Sequence, residues 1–153
     1  MSYIIVSWNP EDLKAIQPTW EKLTIHHSET SKYFKAYFSD YPFSNRETKL
    51  KKHGEGGKTK IDLVVDDETN ITHAHCISII DFDGKGELES LYVDEESRRM
   101  SFGKKLVDRA IEWFEENNID EFAIEVSVGN EEALGFYEKY GYKPFSYNLQ
   151  KIK

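Results

Sequence analysis

The chain has 153 residues, 39% of them hydrophobic and 14% aromatic, which fits one folded domain and excludes a disordered or collagen-like chain. Its single cysteine, Cys76, excludes an intramolecular disulfide and a cysteine-based zinc finger. The formal net charge of −8 argues against non-specific nucleic-acid binding and against docking on anionic lipid.

The N-terminal part of the chain predicts a strand followed by helices. Residues 3–6 are a short apolar run typical of a strand. The run is too short for a signal peptide, and no stretch approaches 18 apolar residues, so we expect a cytoplasmic protein with no membrane partner. Asn9 and Pro10 predict a helix start, and Pro18 predicts a kink or a split in that helix.

A second helix is predicted after Ser31, which is placed to cap it. Its aromatic residues share one face, and they are Tyr33, Phe34, Tyr37, Phe38 and Tyr41. Residues 44–60 are polar, basic and rich in glycine, and they predict a further full or partial helix followed by a mobile loop.

The middle of the chain predicts an antiparallel meander. Strands are expected over residues 61–65, 71–80 and 87–93. Asp83 and Gly84 lie between the last two strands and are typical of a hairpin turn.

The last third alternates helices and strands. A helix is predicted from about Ser101 to Asn117, and a half-buried strand over residues 121–128. A second helix is expected over residues 131–140, capped by Asn130 and closed by Gly141, before short strands at 142–145 and 147–152. This order predicts an α/β fold of the α+β type on a central mixed sheet.

The stretch of residues 91–106 runs from strand through turn to helix. A helix N-terminus offers unpaired N–H groups and the positive end of a dipole, and Gly103 lets a ligand approach the backbone closely. The basic residues of this stretch are Arg98, Arg99, Lys104 and Lys105. The pattern predicts a diphosphate-binding site, and the alternative is an ordinary helix with a solvated basic first turn.

Two motifs resemble the GNAT superfamily of acetyl-CoA-dependent N-acetyltransferases. The first motif is Arg/Gln-x-x-Gly-x-Gly/Ala, which follows a strand that ends in Leu-x-Val. Arg98 and Gly103 match the two ends of this motif. Ser101 replaces the middle glycine and adds a Cβ that can crowd the phosphates. The second begins at Asn130, 27 residues after Gly103, and matches the family's closing motif at Asn130, Ala133, Phe136, Tyr137, Gly141 and Tyr142.

The resemblance implies a single domain over residues 1–153. Its fold would be a central mixed splayed sheet flanked by helices on both faces. CoA would enter between the strands that end near Val93 and Val128. It also implies acetyl-CoA as the donor and CoA as the product. The strand backbone would pair with the pantetheine arm, the amides of 98–103 would hold the pyrophosphate, and Asn130 would contact the cofactor. The implied cofactor-binding residues are Leu91, Tyr92, Val93, Arg98, Arg99, Met100, Ser101, Phe102, Gly103, Lys104, Asn130 and Tyr137.

The same resemblance implies the catalytic groups. Tyr137 matches the general acid, and a tyrosine pKa of about 10 is close enough to a thiol pKa of about 8.5 for useful proton transfer. The alternative for Tyr137 is an aromatic core anchor. Glu87 or Glu89 matches the position of the base that some family members use, because the acceptor amine must lose a proton before attack. The alternatives are that both are exposed strand carboxylates, or that a water relay serves instead.

The implied reaction is direct acetyl transfer to a primary amine of a small molecule or peptide. Residues 61–153 carry 10 basic and 21 acidic side chains, so we expect either a merely solubilising surface or a field that attracts a cationic amine such as a polyamine or an aminoglycoside. The aromatic face of residues 33–41 either lines the acceptor pocket or packs on the sheet. A homodimer is common in the family.

Two other functions compete with this one. The first is a non-catalytic CoA-binding or interaction module on the same fold, for which Ser101 is the best argument. The second is a transferase that uses another acyl-CoA. Cys76 has no activating neighbour in sequence and is not expected to be a covalent nucleophile.

Three further patterns are not expected to form sites. His73 and His75 share one strand face but lack a third ligand, and His26 and His27 diverge on a helix, so no metal is predicted. Residues 57–59 end like a phosphate-binding loop, but the leading glycine is missing and no strand precedes them.

Overall fold

The computed structural model describes residues 2–153, with every side chain among them except that of Arg99. The strands are β1 (Tyr3–Trp8), β2 (Lys58–Asp66), β3 (Ile71–Ile80), β4 (Gly86–Val93) and β5 (Phe122–Ile124). The α-helices are α1 (Gln17–Thr30), α2 (Lys35–Ser39), α3 (Phe43–Gly54), α4 (Phe102–Glu116) and α5 (Glu131–Glu138). Short 3₁₀ helices lie at Leu13–Ile16 and Glu95–Met100.

The chain divides into two compact units. The first runs to Lys22 and continues over Pro42–Glu125, and it holds the whole sheet. The second comprises Leu23–Tyr41 and Val126–Lys153, with most of α1 and all of α2 and α5. None of the helices described in residues 2–153 combines the length and apolar character that a membrane crossing requires.

The sheet is mixed and open, with strand order β1-β2-β3-β4-β5. The first three pairings are antiparallel, and β5 lies parallel to β4 with Gly86 opposite Phe122 and Leu88 opposite Ile124. The predicted mixed-sheet α/β fold is therefore confirmed.

The β3–β4 hairpin turns where Asp83 and Gly84 predict it. Asp81 Oδ1 accepts hydrogen bonds from the backbone N–H groups of Asp83 and Lys85, both at 2.9 Å. Gly84 has φ +81°, a left-handed conformation that a residue without Cβ adopts at no steric cost.

The core lies on both faces of the sheet, and β3 is buried along most of its length. The buried side of α4 supplies Phe102, Leu106, Val107, Ala110 and Phe114. Arg109 on the same helix donates to the buried carboxylate of Asp62 on β2 through Nε at 3.1 Å and Nη2 at 3.2 Å. Ser7 on β1 donates to the same carboxylate at 3.0 Å, so one carboxylate ties two strands and a helix together.

Two irregularities interrupt the pairing of the central strands. In β4, Ser90 pairs with Ile77 and Leu88 pairs with Ser78, so Glu89 is the extra residue of a bulge. In β3, Ala74 pairs with Val64 and Thr72 with Val65, which leaves His73 as an extra residue. Bulges re-aim side chains, and both of these residues carry ionisable groups.

The N-terminal helices differ in part from prediction. Asn9 Oδ1 accepts the Glu11 N–H at 3.0 Å, and this turn delays the helical segment to Leu13. The split at Pro18 is confirmed, because a 3₁₀ helix ends at Ile16 and α1 begins at Gln17. Ser31 Oγ accepts the Phe34 N–H at 3.0 Å, but the helix that follows spans only Lys35–Ser39.

The strands predicted at 142–145 and 147–152 are wrong, and that predicted over 121–128 shrinks to Phe122–Ile124. Among residues 2–153, no strand includes residues 142–153. Phe145, Tyr147 and Leu149 alternate as a strand would, yet they are 100%, 84% and 90% exposed. Alternation predicts a strand only where a neighbouring strand pairs its backbone, and here none does.

Candidate active site

The C-terminal half of β4 has an open edge. β5 pairs with β4 only at residues 86–88, so among the described residues no strand continues the sheet beside residues 89–93 on that side. The predicted residues Leu91, Tyr92 and Val93 are the last three of β4 and pair with β3 on the other side. Their backbone can therefore accept an extended ligand as an added strand.

A short loop connects β4 to α4. The Arg98 side chain folds back and its Nε donates to the carbonyl of Val93 at 3.1 Å. Ser97 N–H donates to the Asp94 carbonyl at 2.9 Å, and Glu95–Met100 form the 3₁₀ helix. The Arg99 side chain, predicted to add positive charge here, lies outside the described residues.

Ser101 is in the left-handed region, with φ +60° and ψ +26°. Its hydroxyl makes no hydrogen bond that caps α4. Glycine adopts this conformation without strain, whereas a residue with a Cβ does not. The backbone accommodates the Ser101 Cβ at a cost in conformational energy.

Phe102, Gly103 and Lys104 form the first turn of α4. The N–H groups of a first turn have no acceptor inside the helix, and the 15-residue helix places the positive end of its dipole there. Lys104 Nζ lies 2.7 Å from Asp108 Oδ2 on the next turn, and Lys105 Nζ lies 5.4 Å from the Phe102 ring centroid. The donor set fits a diphosphate through main-chain groups rather than through free lysine charges.

A carboxylate cluster joins β4 to α3. Glu89 Oε1 lies 2.8 Å from Arg46 Nη1, and Glu89 Oε2 lies 2.9 Å from His53 Nδ1. Glu87 Oε2 lies 3.3 Å from His53 Nε2. The structure thus brings the two predicted carboxylates together around one imidazole.

Burial raises the pKa of Glu87 to about 8, and the neighbouring Glu89 carboxylate adds to the effect. Glu125, just after β5, raises the Glu87 pKa further, whereas Arg46 opposes the shift. A carboxyl group that titrates near pH 8 is poised for proton exchange with an amine. Of the two predicted bases, Glu87 has this property, while both oxygens of Glu89 are occupied by Arg46 and His53.

Arg46 and His53 were not among the residues that the sequence predicted for the site. They are seven residues apart in α3, which places them on one face of that helix. The seven-residue spacing of Arg46 and His53 in the polar segment 44–60 is the sequence feature that could have indicated these two residues. It becomes meaningful only once α3 is known to pack beside β4.

Beside the bulge, a buried polar chain fixes the position of Ser90. Thr19 Oγ1 donates to the Ile16 carbonyl at 3.0 Å, so it accepts from His75 Nδ1 at 2.6 Å. His75 Nε2 then accepts the Ser90 hydroxyl at 2.8 Å. Burial lowers the pKa of His75 to about 3, which keeps the ring neutral and this single tautomer in place.

His73 and His75 do not face a common point. The bulge separates them: His73 Nδ1 lies 3.0 Å from Asp94 Oδ2, and Lys22 Nζ lies 3.1 Å from Asp94 Oδ1. The two imidazoles have different partners, since His75 contacts Thr19 and Ser90 instead. Burial raises the pKa of Cys76 to about 12, which makes its thiolate inaccessible near neutral pH.

The second unit carries the closing motif. Asn130 precedes α5 but, contrary to prediction, makes no side-chain cap hydrogen bond. Tyr137 on α5 is 7% exposed and lies edge-to-face with Phe136 at 5.2 Å between ring centroids. The helix ends at Glu138, and Gly141 follows with φ +89°.

The predicted aromatic face is only partly helical, and two of its five rings are exposed. Tyr33 and Tyr37 are 60% and 53% exposed, and the Tyr37 and Tyr41 ring centroids lie 5.5 Å apart. Phe38 lies 5.2 Å from His27. Phe34, Phe38 and Tyr41 are half-buried, so the face combines packed and exposed rings.

Comparison with known proteins identifies the family of this chain. The family model described as the acetyltransferase (GNAT) family matches residues 22–142. The match covers most of the sequence, so the chain belongs to the GNAT acetyltransferase family. No curated protein matches the chain in sequence.

Several solved structures share the fold at low sequence identity. A GCN5-related N-acetyltransferase from Ralstonia eutropha JMP134 is 17% identical, with a TM-score of 0.74 over 99% of each chain. Glucosamine-6-phosphate N-acetyltransferase from Arabidopsis thaliana is 19% identical, with a TM-score of 0.64 over 99% of this chain and 98% of that one. An acetyltransferase from Clostridium acetobutylicum, solved with acetyl-CoA, is 16% identical, with a TM-score of 0.64 over 97% of this chain and 95% of that one.

Proposed function

We propose that this protein is a cytoplasmic N-acetyltransferase that moves an acetyl group from acetyl-CoA to a primary amine of a small molecule or peptide by direct transfer. The observation that carries the proposal is the half-buried carboxyl group of Glu87, whose pKa burial raises to about 8 on the strand with the open edge. Family membership supports the same reaction class.

The donor site is proposed on β4 and on the start of α4. The open edge at Leu91, Tyr92 and Val93 fits an extended pantetheine arm through main-chain hydrogen bonds. The amides of residues 98–103 fit the pyrophosphate, because the first turn of α4 offers unpaired N–H groups and Gly103 adds no side chain. Asn130 is proposed as a further contact on the strength of its place in the closing motif.

Acetyl-CoA, when bound, supplies the acetyl group as a thioester. Glu87 is the proposed base that takes a proton from the protonated acceptor amine. An ordinary glutamate, with a pKa of about 4.3, differs by about 6 units from a lysine-like amine at about 10.4. The raised pKa of Glu87, about 8, removes more than half of that mismatch and makes the transfer efficient.

Tyr137 is the proposed acid that returns a proton to the departing thiolate. Its phenol is a neutral donor at physiological pH, since tyrosine has a pKa of about 10. The 7% exposure of Tyr137 fits a group shielded from bulk water. The role itself is carried over from its position in the closing motif.

We propose a cationic acceptor amine. Glu89 and Glu125 are the carboxylates that act on Glu87, the proposed base, and the three form an acidic cluster. A positively charged amine is attracted to this cluster, and Glu87 can remove its proton once it is bound.

A non-catalytic CoA-binding module is a second candidate, and the conformation of Ser101 is the observation that favours it. A Cβ stands at the family's glycine position, in a region of φ that residues with Cβ adopt at a cost. A protein that keeps this side chain has less space for phosphate groups. Turnover decides between the two candidates.

The test is acetyl-CoA-dependent thiol release in the presence of a panel of amines: spermidine, an aminoglycoside, an amino-sugar phosphate and a short peptide with a free N-terminus. We expect one class to release CoA and to gain 42 Da per acetyl group (about the mass of C2H2O) by mass spectrometry, and Tyr137→Phe to slow this release. Binding of acetyl-CoA without turnover of any amine would favour the non-catalytic module.

A further inference from the structure

We propose that His53 is the proton relay of the Glu87 base, with Glu89 and Arg46 holding the imidazole in the one tautomer that can do this. The inference rests on the proposed function for its catalytic meaning. Its geometry stands on four side chains of the first unit and on the distances between them.

The proton positions follow from which atoms can donate. Arg46 Nη1 donates to Glu89 Oε1 at 2.8 Å, and this ion pair keeps Glu89 an acceptor. Glu89 Oε2 lies 2.9 Å from His53 Nδ1, so Nδ1 carries a hydrogen. In the neutral imidazole the remaining nitrogen, Nε2, therefore presents a lone pair toward Glu87.

Glu87 Oε2 lies 3.3 Å from that Nε2. A carboxylate oxygen and an imidazole lone pair repel each other at this distance, so the unprotonated pair readily takes up one proton, and this is the state that accepts the proton of the ammonium. The proton then lies either on Glu87, donating to neutral His53, or on His53, donating to the Glu87 carboxylate.

The relay step is balanced in atoms and charge. The N–H bond of the acceptor ammonium breaks, and an O–H bond forms on the Glu87 carboxylate. That O–H bond then breaks as an N–H bond forms at His53 Nε2. The imidazolium, stabilised by the Glu89 carboxylate at Nδ1–H, finally releases the proton to water. The ammonium has lost one proton, and Glu87 is a carboxylate again.

Exposure makes the last step feasible. The side chain of His53 is 27% exposed, compared with 23% for Glu87 and 14% for Glu89. Both side chains reach solvent to a similar extent, so His53 offers the proton a second route to water besides direct exchange from Glu87. The charged groups that act on Glu87 are Glu89 on its own strand, Glu125 after β5, and Arg46 on α3, beside the imidazole of His53.

The first arm of the test needs neither substrate nor activity. In protein labelled with ¹³C in glutamate and ¹⁵N in histidine, we expect the His53 Nε2 resonance to respond when the Glu87 carboxyl carbon shows the loss of its proton, because the two atoms share that proton. We expect Nδ1 to carry a hydrogen in the neutral ring. A neutral His53 protonated on Nε2, or an Nε2 resonance that does not respond when Glu87 loses its proton, would overturn the proposal.

The second arm uses turnover. His53→Asn keeps an N–H donor for Glu89 but cannot carry a proton. We expect kcat at about pH 9, where Glu87 is unprotonated, to fall at least about tenfold with KM for acetyl-CoA unchanged. Lys52→Gln removes an exposed charge from the neighbouring position of α3 and is the matched control. In His53→Ala, added imidazole should restore part of kcat.

The two arms separate failure of the relay from failure of the proposed function. If kcat of His53→Asn stays within twofold of the Lys52→Gln control, or if imidazole does not rescue His53→Ala, His53 is not the relay. If no amine is acetylated, the proposed function fails and the magnetic resonance arm still decides whether His53 and Glu87 share a proton.

Discussion

Replacing Ser101 by glycine is expected to stabilise the protein. Ser101 has φ +60° and ψ +26°, and the left-handed conformation costs a residue with Cβ roughly 1–2 kcal/mol. Glycine recovers this cost but loses about 0.5–1 kcal/mol through the greater freedom of the unfolded chain. The hydroxyl makes no cap hydrogen bond, so none is lost in the variant. The net expectation is a gain of about 0.5–1 kcal/mol, or roughly 1–4 °C in Tm for a chain of this size.

Urea denaturation and calorimetric melting of Ser101→Gly measure this gain, with Ser101→Ala as the matched control. Alanine keeps the Cβ and the strain while removing the hydroxyl, so its stability should stay within about 0.5 kcal/mol of the parent. Removal of the Cβ should also tighten acetyl-CoA binding if it crowds the phosphates. Equal stabilities of the glycine and alanine variants would refute the argument from backbone strain.

Three further outcomes are expected. Tyr137→Phe should lower kcat by about 10²-fold or more while calorimetry shows acetyl-CoA binding retained; an unchanged rate would remove Tyr137 from the mechanism. Glu87 has a pKa of about 8 in the folded protein and 4.5 in the unfolded chain. The folded state therefore binds more protons between these two pH values, and the free energy of unfolding falls as pH rises from one to the other. Thermal melts should therefore show Glu87→Gln equal to the parent at pH 4 and more stable at pH 9, and the reverse order would contradict the assigned burial. Arg109→Met should lower the free energy of unfolding by about 3 kcal/mol in urea titrations, because the buried carboxylate of Asp62 loses two hydrogen bonds; Asp62→Asn in the same background should recover part of the loss.

Much of the sheet could be predicted because its signals are local. Asp83 and Gly84 identify the hairpin through turn chemistry alone, and Pro18 identifies the break before α1. The C-terminal segment could not be predicted in the same way. The alternation of Phe145, Tyr147 and Leu149 is also local, but strand formation needs a partner edge that sequence spacing does not supply.

The candidate site also combines features that local sequence predicts with features that depend on the fold. Glu87 was predicted from its place before the phosphate-binding motif, but its raised pKa depends on burial and on side chains distant in sequence. The bulge at Glu89 and the packing of α3 bring Arg46 and His53 to these carboxylates. No periodicity in β4 predicts the bulge, and hence none predicts that Glu87 and Glu89 have different surroundings.

Calorimetric titration with acetyl-CoA, with CoA and desulfo-CoA alongside, tests the central claim most directly. The open edge of β4 and the first turn of α4 predict one-to-one binding at micromolar concentration, with the pyrophosphate and pantetheine groups contributing in all three ligands. Absence of binding at millimolar acetyl-CoA would contradict the account, because it would mean that the Ser101 side chain and its neighbours close the donor site.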